Sequence, residues 1–225
     1  LWYLSSVAID NNFIPVSYNF IINSLIALVS TFVGAYSAFS LNNRKETKKI
    51  YIENKTALNK AIFIVSMMMN AVPIRNESHI KFEDTDKSRA ERAFSEPAKK
   101  SPNYDDLIFD FQSLVFLLEN NPDLLMDLSI EQQRFKQLFS AEEIRSEFYV
   151  NQVQPVLSSS GLNNGQVNIK ILQDALGDRL FIGLINLTDS YFFHLEATDQ
   201  SLRIMYEKLR QTAKELFPDE GFIKF

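Results

Sequence analysis

Residues 16–41 read VSYNFIINSLIALVSTFVGAYSAFSL, a run of 26 residues without a formal charge. As a helix rising 1.5 Å per residue, that run extends about 39 Å, enough to cross a hydrocarbon core of about 30 Å with some tilt. The rest of the chain divides around it. From Leu1 to Asn43 there is one charged residue, Asp10, and from Arg44 onward charge is dense. A cleavable signal peptide would need a basic stretch before the apolar run. The residues before it contain no Lys or Arg.

Orientation follows from the flanks. Lys and Arg close to the ends of a span mark the cytoplasmic side. One end has none, whereas Arg44, Lys45, Lys48 and Lys49 follow the other, with Lys55 and Lys60 beyond. The N-terminus is therefore expected outside and the body of the chain in the cytoplasm. Trp2, Tyr3 and Tyr18 suit the outer interface, and Tyr36 the inner one. Arg44, Lys45, Lys48 and Lys49 are the expected contacts to lipid headgroups. With leucine at its head, the chain is read as lacking its start. LWYLSSVAI then also fits the end of an earlier span, with DNNFIP as a short outer turn and the body still cytoplasmic.

The span is not uniformly apolar. Asn19, Asn23, Ala27, Ser30, Gly34 and Ser37 fall within about 80° on a wheel of 100° per residue. Amides are costly in lipid, and small residues let helix backbones approach closely. This stripe predicts a homo-oligomer whose spans meet along it, around a lumen in the stronger form of the reading.

Composition restricts the rest. The chain holds 23 basic and 28 acidic side chains, and residues 61–225 alone hold 17 and 25, a balance of −8. So acidic a body argues against nucleic-acid binding, which needs basic surface to displace counterions. Without cysteine there is neither a disulfide framework nor a thiolate metal site.

Periodicity predicts an all-α fold. Residues 1–43 form the outer segment and the transmembrane helix of about residues 16–41, and residues 44–73 a basic juxtamembrane stalk helix that ends before Pro73. Residues 74–103 read as a polar loop, with at most a short helix near Arg89–Phe94. Residues 104–225 read as a helical bundle completed by the stalk. Within it, a helix is expected from Asn103 to Asn120, with Leu107, Ile108, Phe111, Leu114, Val115 and Leu118 inside. A short segment from Pro122 precedes a longer helix opened by a Ser129–Gln132 capping box, with Phe135, Leu138, Phe139, Ile144 and Phe148 inside and a break at Pro155. Asn168 caps a further helix that stops at Gly177. The last helix, Asp178–Phe217, shows a heptad-like stripe from Leu184 through Tyr191, Leu195, Leu202 and Leu209 to Leu216.

Chemistry is sparse. His194 has Ser190 and Thr198 on its own helical face, while Asp189 and Glu196 point well away from it. A lone helical histidine between hydroxyls reads as a hydrogen-bonded structural residue rather than a base. Arg75–His79 (RNESH) resembles the Arg–His motif of helical RNA-cleaving HEPN domains, but three residues separate the pair where that motif has at least four, and the match is rejected. No glycine-rich phosphate loop or GxSxG is present. Asp110, among phenylalanines in FDFQS, is a candidate polar core contact. No catalytic, cofactor or metal residue is assigned, and no enzyme activity is expected.

The NRKE run, the ENKTALNKAIF stalk, the FDFQSLVFLLE segment and the closing FPDEGFIKF resemble a group of single-pass bacterial membrane proteins with a helical cytoplasmic domain and no assigned activity. That resemblance implies a bacterial inner-membrane setting. The expected function is a membrane-anchored, self-associating interaction or scaffold protein, with a pore-forming defence effector as a variant. The alternatives are a membrane-bound helical enzyme and an accessory subunit of a larger complex. Expected partners are membrane lipid, further copies of the chain and a protein partner.

Overall fold

The computed structural model describes residues 2–11, 19–72, 85–100, 104–162 and 168–223. These hold helices and turns, with no strand among them. Two compact units result, Leu1–Glu53 and Asn54–Phe225.

The first unit holds α1 (Trp2–Asp10) and the leading part of α2 (Asn19–Ala71). The hydroxyls of Thr31 and Thr47 donate to the carbonyls of Ala27 and Asn43 one turn back, at 2.8 and 2.9 Å. Their polar hydrogens are thus satisfied without any outside partner. The expected span begins at residue 16, and residues 16–18 lie outside the described set.

In the second unit α2 continues to Ala71, just before the Val72–Pro73 pair, where proline disfavours helix for the residue ahead of it. Leu58, Ile62, Val65 and Met68 are buried at helical spacing. They pack in one core with Leu128, Phe135 and Leu138 of α5 (Pro122–Phe148) and with Leu195, Leu202 and Leu209 of α7 (Ile169–Leu216). The segment following α7 folds onto α2. Glu220 pairs with Lys55, and the Ile223 amide donates to Asn59 Oδ1 at 3.3 Å.

The polar stretch between α2 and residue 104 contains α3 (Asp86–Ser95), capped by Thr85, whose hydroxyl accepts the Ser88 amide. Ala90 and Ala93 are fully covered there, and Phe94 stacks on Phe181 at 5.7 Å. A second core joins them to Val153, Leu157, Leu176 and Leu184.

The helix expected at Asn103–Asn120 does not form. One turn closes with Leu107 donating to Tyr104, residues 107–110 run without a turn, and turns resume with Leu114 donating to Phe111, so that only α4 (Leu117–Asn120) is helical. The cause is local. Asp110 takes both the amide and the hydroxyl of Ser113, at 3.3 and 2.7 Å, giving the backbone a competitor to the helical ladder. Of the expected inner set, Leu114 is buried and Leu107 and Phe111 pack against the core, whereas Ile108, Val115 and Leu118 are exposed and Phe109 and Leu117 are buried in their place.

α5 runs unbroken over Pro122–Phe148 from an Asn121 cap. Ser129 therefore opens nothing. Gln132 reaches sideways to accept the Phe109 amide at 2.8 Å, and Ile144, expected inside, is exposed. The proline break is realised as a π-turn at Tyr149–Val153 leading into α6 (Gln154–Ser159), which absorbs the amide that Pro155 lacks. α7 (Ile169–Leu216) starts at the Asn168 cap, as its sequence indicated, and breaks helical geometry at Gly177. Beyond the break Tyr191, Leu195, Leu202 and Leu209 are buried and Leu216 is partly covered, so the stripe packs inside the bundle.

Candidate functional site

The leading part of α2 is a helix long and apolar enough to cross a membrane, and its most apolar window is entirely unburied. Phe20 is 81% and Phe39 73% exposed, so this is no core helix of the unit that contains it. Along the small-polar stripe Asn23 is half-buried, while Ala27, Ser30, Gly34 and Ser37 are open. A Cβ placed on Gly34 would meet nothing within 4 Å, so a neighbouring backbone has free approach to that face. Asn19 opens α2, and its side chain lies outside the described set.

Arg44, Lys45, Lys48 and Lys49 follow on the same helix, all exposed. At 100° per residue the four cations share an arc of about 140°, and Glu46 and Glu53 lie past its edge. Lys49 reaches Glu53 at 3.8 Å, a solvated pair of little energetic weight.

In the second unit the densest polar chemistry surrounds Arg145, which is 1% exposed. Its guanidinium donates to the carbonyls of Ala93 and Pro97, each at 2.9 Å, to that of Glu96, and to the Thr188 hydroxyl at 3.3 Å. Burial pulls its pKa below the ordinary guanidinium value, and Glu96, Tyr149, Tyr191 and Glu142 oppose that loss. A cation set against the last carbonyls of α3 satisfies acceptors that a helix end leaves open and complements its dipole. Lys99 pairs with the Glu96 carboxylate at 2.6 Å. Above this, Asp189 of α7 binds both Arg89 and Arg92 of α3, and Arg92 also lies over the Phe192 ring at 4.9 Å. The cluster is a lock that fastens α3 across α5 and α7. Sequence reasoning missed it, although Leu138, Glu142 and Arg145 keep the spacing of buried positions on α5.

His194 borders a shallow groove between α5 and α7 with Ser140, Ala141, Ile144, Leu187 and Ser190. Among the described residues no hydrogen bond joins His194 to Ser190, and its ring lies edge-on to Phe193 at 5.6 Å. Asp189 faces the arginines, as its angular separation from His194 required. His79 and Arg75 lie outside the described set. Asp110, expected as a core contact, is exposed, and Ser113 holds its carboxyl below the usual carboxylate range. No group of metal-ligating side chains occurs among the described residues.

These features define an all-α protein with an exposed apolar N-terminal helix and a polar-locked helical body. Comparison with family models, curated proteins and solved structures returned no match.

Proposed function

We propose that this chain is a membrane-anchored, self-associating scaffold of the bacterial inner membrane, with its N-terminus outside and its helical body in the cytoplasm. One observation carries the reading: an unburied apolar helix runs directly into four exposed cations, Arg44, Lys45, Lys48 and Lys49. Leaving such a surface in water is costly, at about 25 cal/mol per Å². The cations set its orientation and meet anionic headgroups at the inner face.

The stripe, open from Ala27 to Ser37, supports self-association of the spans. In lipid the attraction between helices comes from close backbone packing and interhelical hydrogen bonds, and both favour Gly, Ser and Asn at the contact. A lumen lined by the same residues is the stronger form, testable as conductance across a planar bilayer.

The test uses the full chain. It should resist alkaline extraction from membranes, and in mild detergent its native mass should correspond to several copies. Paired Ser30→Leu and Gly34→Leu substitutions should lower that mass while leaving membrane retention intact. Release by alkali would remove the anchor, and a monomer in every detergent would remove the scaffold.

A further inference from the structure

α5 and α7 run antiparallel, tied by Asp127 to Lys208 at 2.8 Å near one end and by Arg145 to Thr188 near the other. Their common outer face carries six large apolar side chains, Met126, Ile130 and Ile144 on α5 and Ile182, Phe193 and Ile204 on α7. The three on α7 recur every 11 residues, an interval that returns to nearly the same azimuth after three turns. Between them on the same face lie Gln133, Gln137, Ser190 and Gln200, all uncharged and exposed. Arg134 borders the face and is neutralised by the buried Glu131 at 2.6 Å. Apart from the Asp127–Lys208 pair, which cancels, the strip is uncharged, with Glu196 and Glu207 at its α7 edge away from α5, and it stands out on a body whose residues 61–225 carry a balance of −8.

We infer that this α5/α7 face is the docking surface for a second copy of the chain. Three observations select that occupant. Phe193, 69% exposed, stands beside a groove of about 330 Å³ lined by Ser140, Ala141, Ile144 and Leu187. Knob and hole thus lie on one surface, and a two-fold axis through it places each Phe193 in the other copy's groove, as an isologous contact requires. Two acidic bodies repel wherever their charged surfaces meet, and the neutral strip is where they can approach. The footprint is also adequate. Twenty-two residues of helix give about 33 Å of length and two helices about 20 Å of width, on the order of the ~800 Å² per partner of a stable interface.

This inference rests on the self-association reading but places the contact in the body rather than the span, and the two separate experimentally. The chain has no cysteine, so single cysteines can be introduced without background. Gln137→Cys and Ser190→Cys in the full chain, in membranes, should each crosslink through a short bismaleimide, whereas Glu143→Cys on the far side of α5 should not. Adding Phe193→Glu should abolish crosslinking at least tenfold with the thermal transition unchanged, because that side chain is outside the core. Crosslinking at Ser30→Cys without any at the α5/α7 face overturns this inference and leaves the span reading standing. Equal crosslinking at Glu143→Cys also overturns it, as does a face that a different protein covers while copies stay apart. Crosslinking at the face but not in the span establishes the face and removes the span contact.

Discussion

The Arg145 guanidinium donates to the Ala93 carbonyl at 2.9 Å and so joins the last turn of one helix to the end of another, 52 positions apart in sequence. Three carbonyls at the end of α3 depend on this side chain. Removing it leaves acceptors buried without donors and also uncovers the space it fills. Arg145→Met should therefore cost about 3–5 kcal/mol, the range for breaking a buried, fully bonded charge site. Chemical denaturation measures the loss, and hydrogen exchange should find α3 amides unprotected first. Arg145→Lys should recover only part, since an ammonium cannot span the fork of acceptors. A transition unchanged by Arg145→Met would mean that α3 is held by its alanines alone.

Gly177 has φ +68° and ψ 162°, a conformation reserved almost entirely for glycine. A Cβ there would meet nothing within 4 Å, so any penalty comes from the backbone and not from crowding. Gly177→Ala should destabilise by about 1–3 kcal/mol. Asp178, which accepts from Gln173 across the kink at 3.0 Å, tolerates substitution far better because that bond is exposed. Comparing Gly177→Ala with Asp178→Ala in the same denaturation series isolates the backbone contribution.

How far the sequence reaches is clearest where these two sites are compared. Asn168 and Gly177 declare themselves because a cap and a left-handed break depend on the residue itself and its near neighbours. The apolar run of residues 16–41 and the α7 stripe are equally legible, being periodic over many turns. Asp110 and Ser113 defeat the same reading. Their side-chain bond outweighs a helical pattern of apolar residues between Asn103 and Asn120, and a hydrophobic period carries no record of such competition. Arg145 was hidden for another reason. Its partners are backbone carbonyls, which every residue possesses, so nothing in the side chains of Ala93 or Pro97 announces them.

Gly183 has the ring edge of Phe148 3.0 Å from where its Cβ would stand. Alanine would favour the helix by up to about 1 kcal/mol but must displace that ring. Gly183→Ala should gain little or lose stability in the native background. In a Phe148→Ala background it should become stabilising, with a coupling of about 0.5–3 kcal/mol in a double-mutant cycle. Strict additivity of the two changes would show that the ring yields freely.

Asp110 offers a pH handle. Its carboxyl is held low chiefly by the Ser113 hydroxyl, then by the Ser113 amide, with Lys60 adding a smaller attraction. The folded state therefore holds the carboxylate better than the unfolded chain does. The resulting stabilisation is complete above the unfolded value of roughly 3.9 and disappears as pH falls through the lower folded value. Carboxyl resonances followed by titration should put Asp110 below the solvated aspartates, and Ser113→Ala should raise it toward them. A titration indifferent to Ser113→Ala would separate the turn from the shift.

The cation run beside the apolar helix makes a prediction about topology. Arg44, Lys45, Lys48 and Lys49 are the basic residues nearest the uncharged stretch, and none precedes it. Charge that near a span fixes which end stays inside. Exchanging all four for glutamine while placing two lysines before Phe13 should invert a substantial fraction of the chains, read by compartment-specific reporters fused to either end. Glutamine alone should loosen orientation less, because Lys55 and Lys60 remain on the same side, within reach of the rule. The two variants also separate orientation from lipid contact. Inversion depends on the asymmetry of charge about the span. Recruitment of anionic lipid depends on the total basic charge next to it, worth about 1 kcal/mol per Lys or Arg near the surface. A chain that keeps its orientation in the full exchange would show that the body, rather than the flanking charge, decides the side.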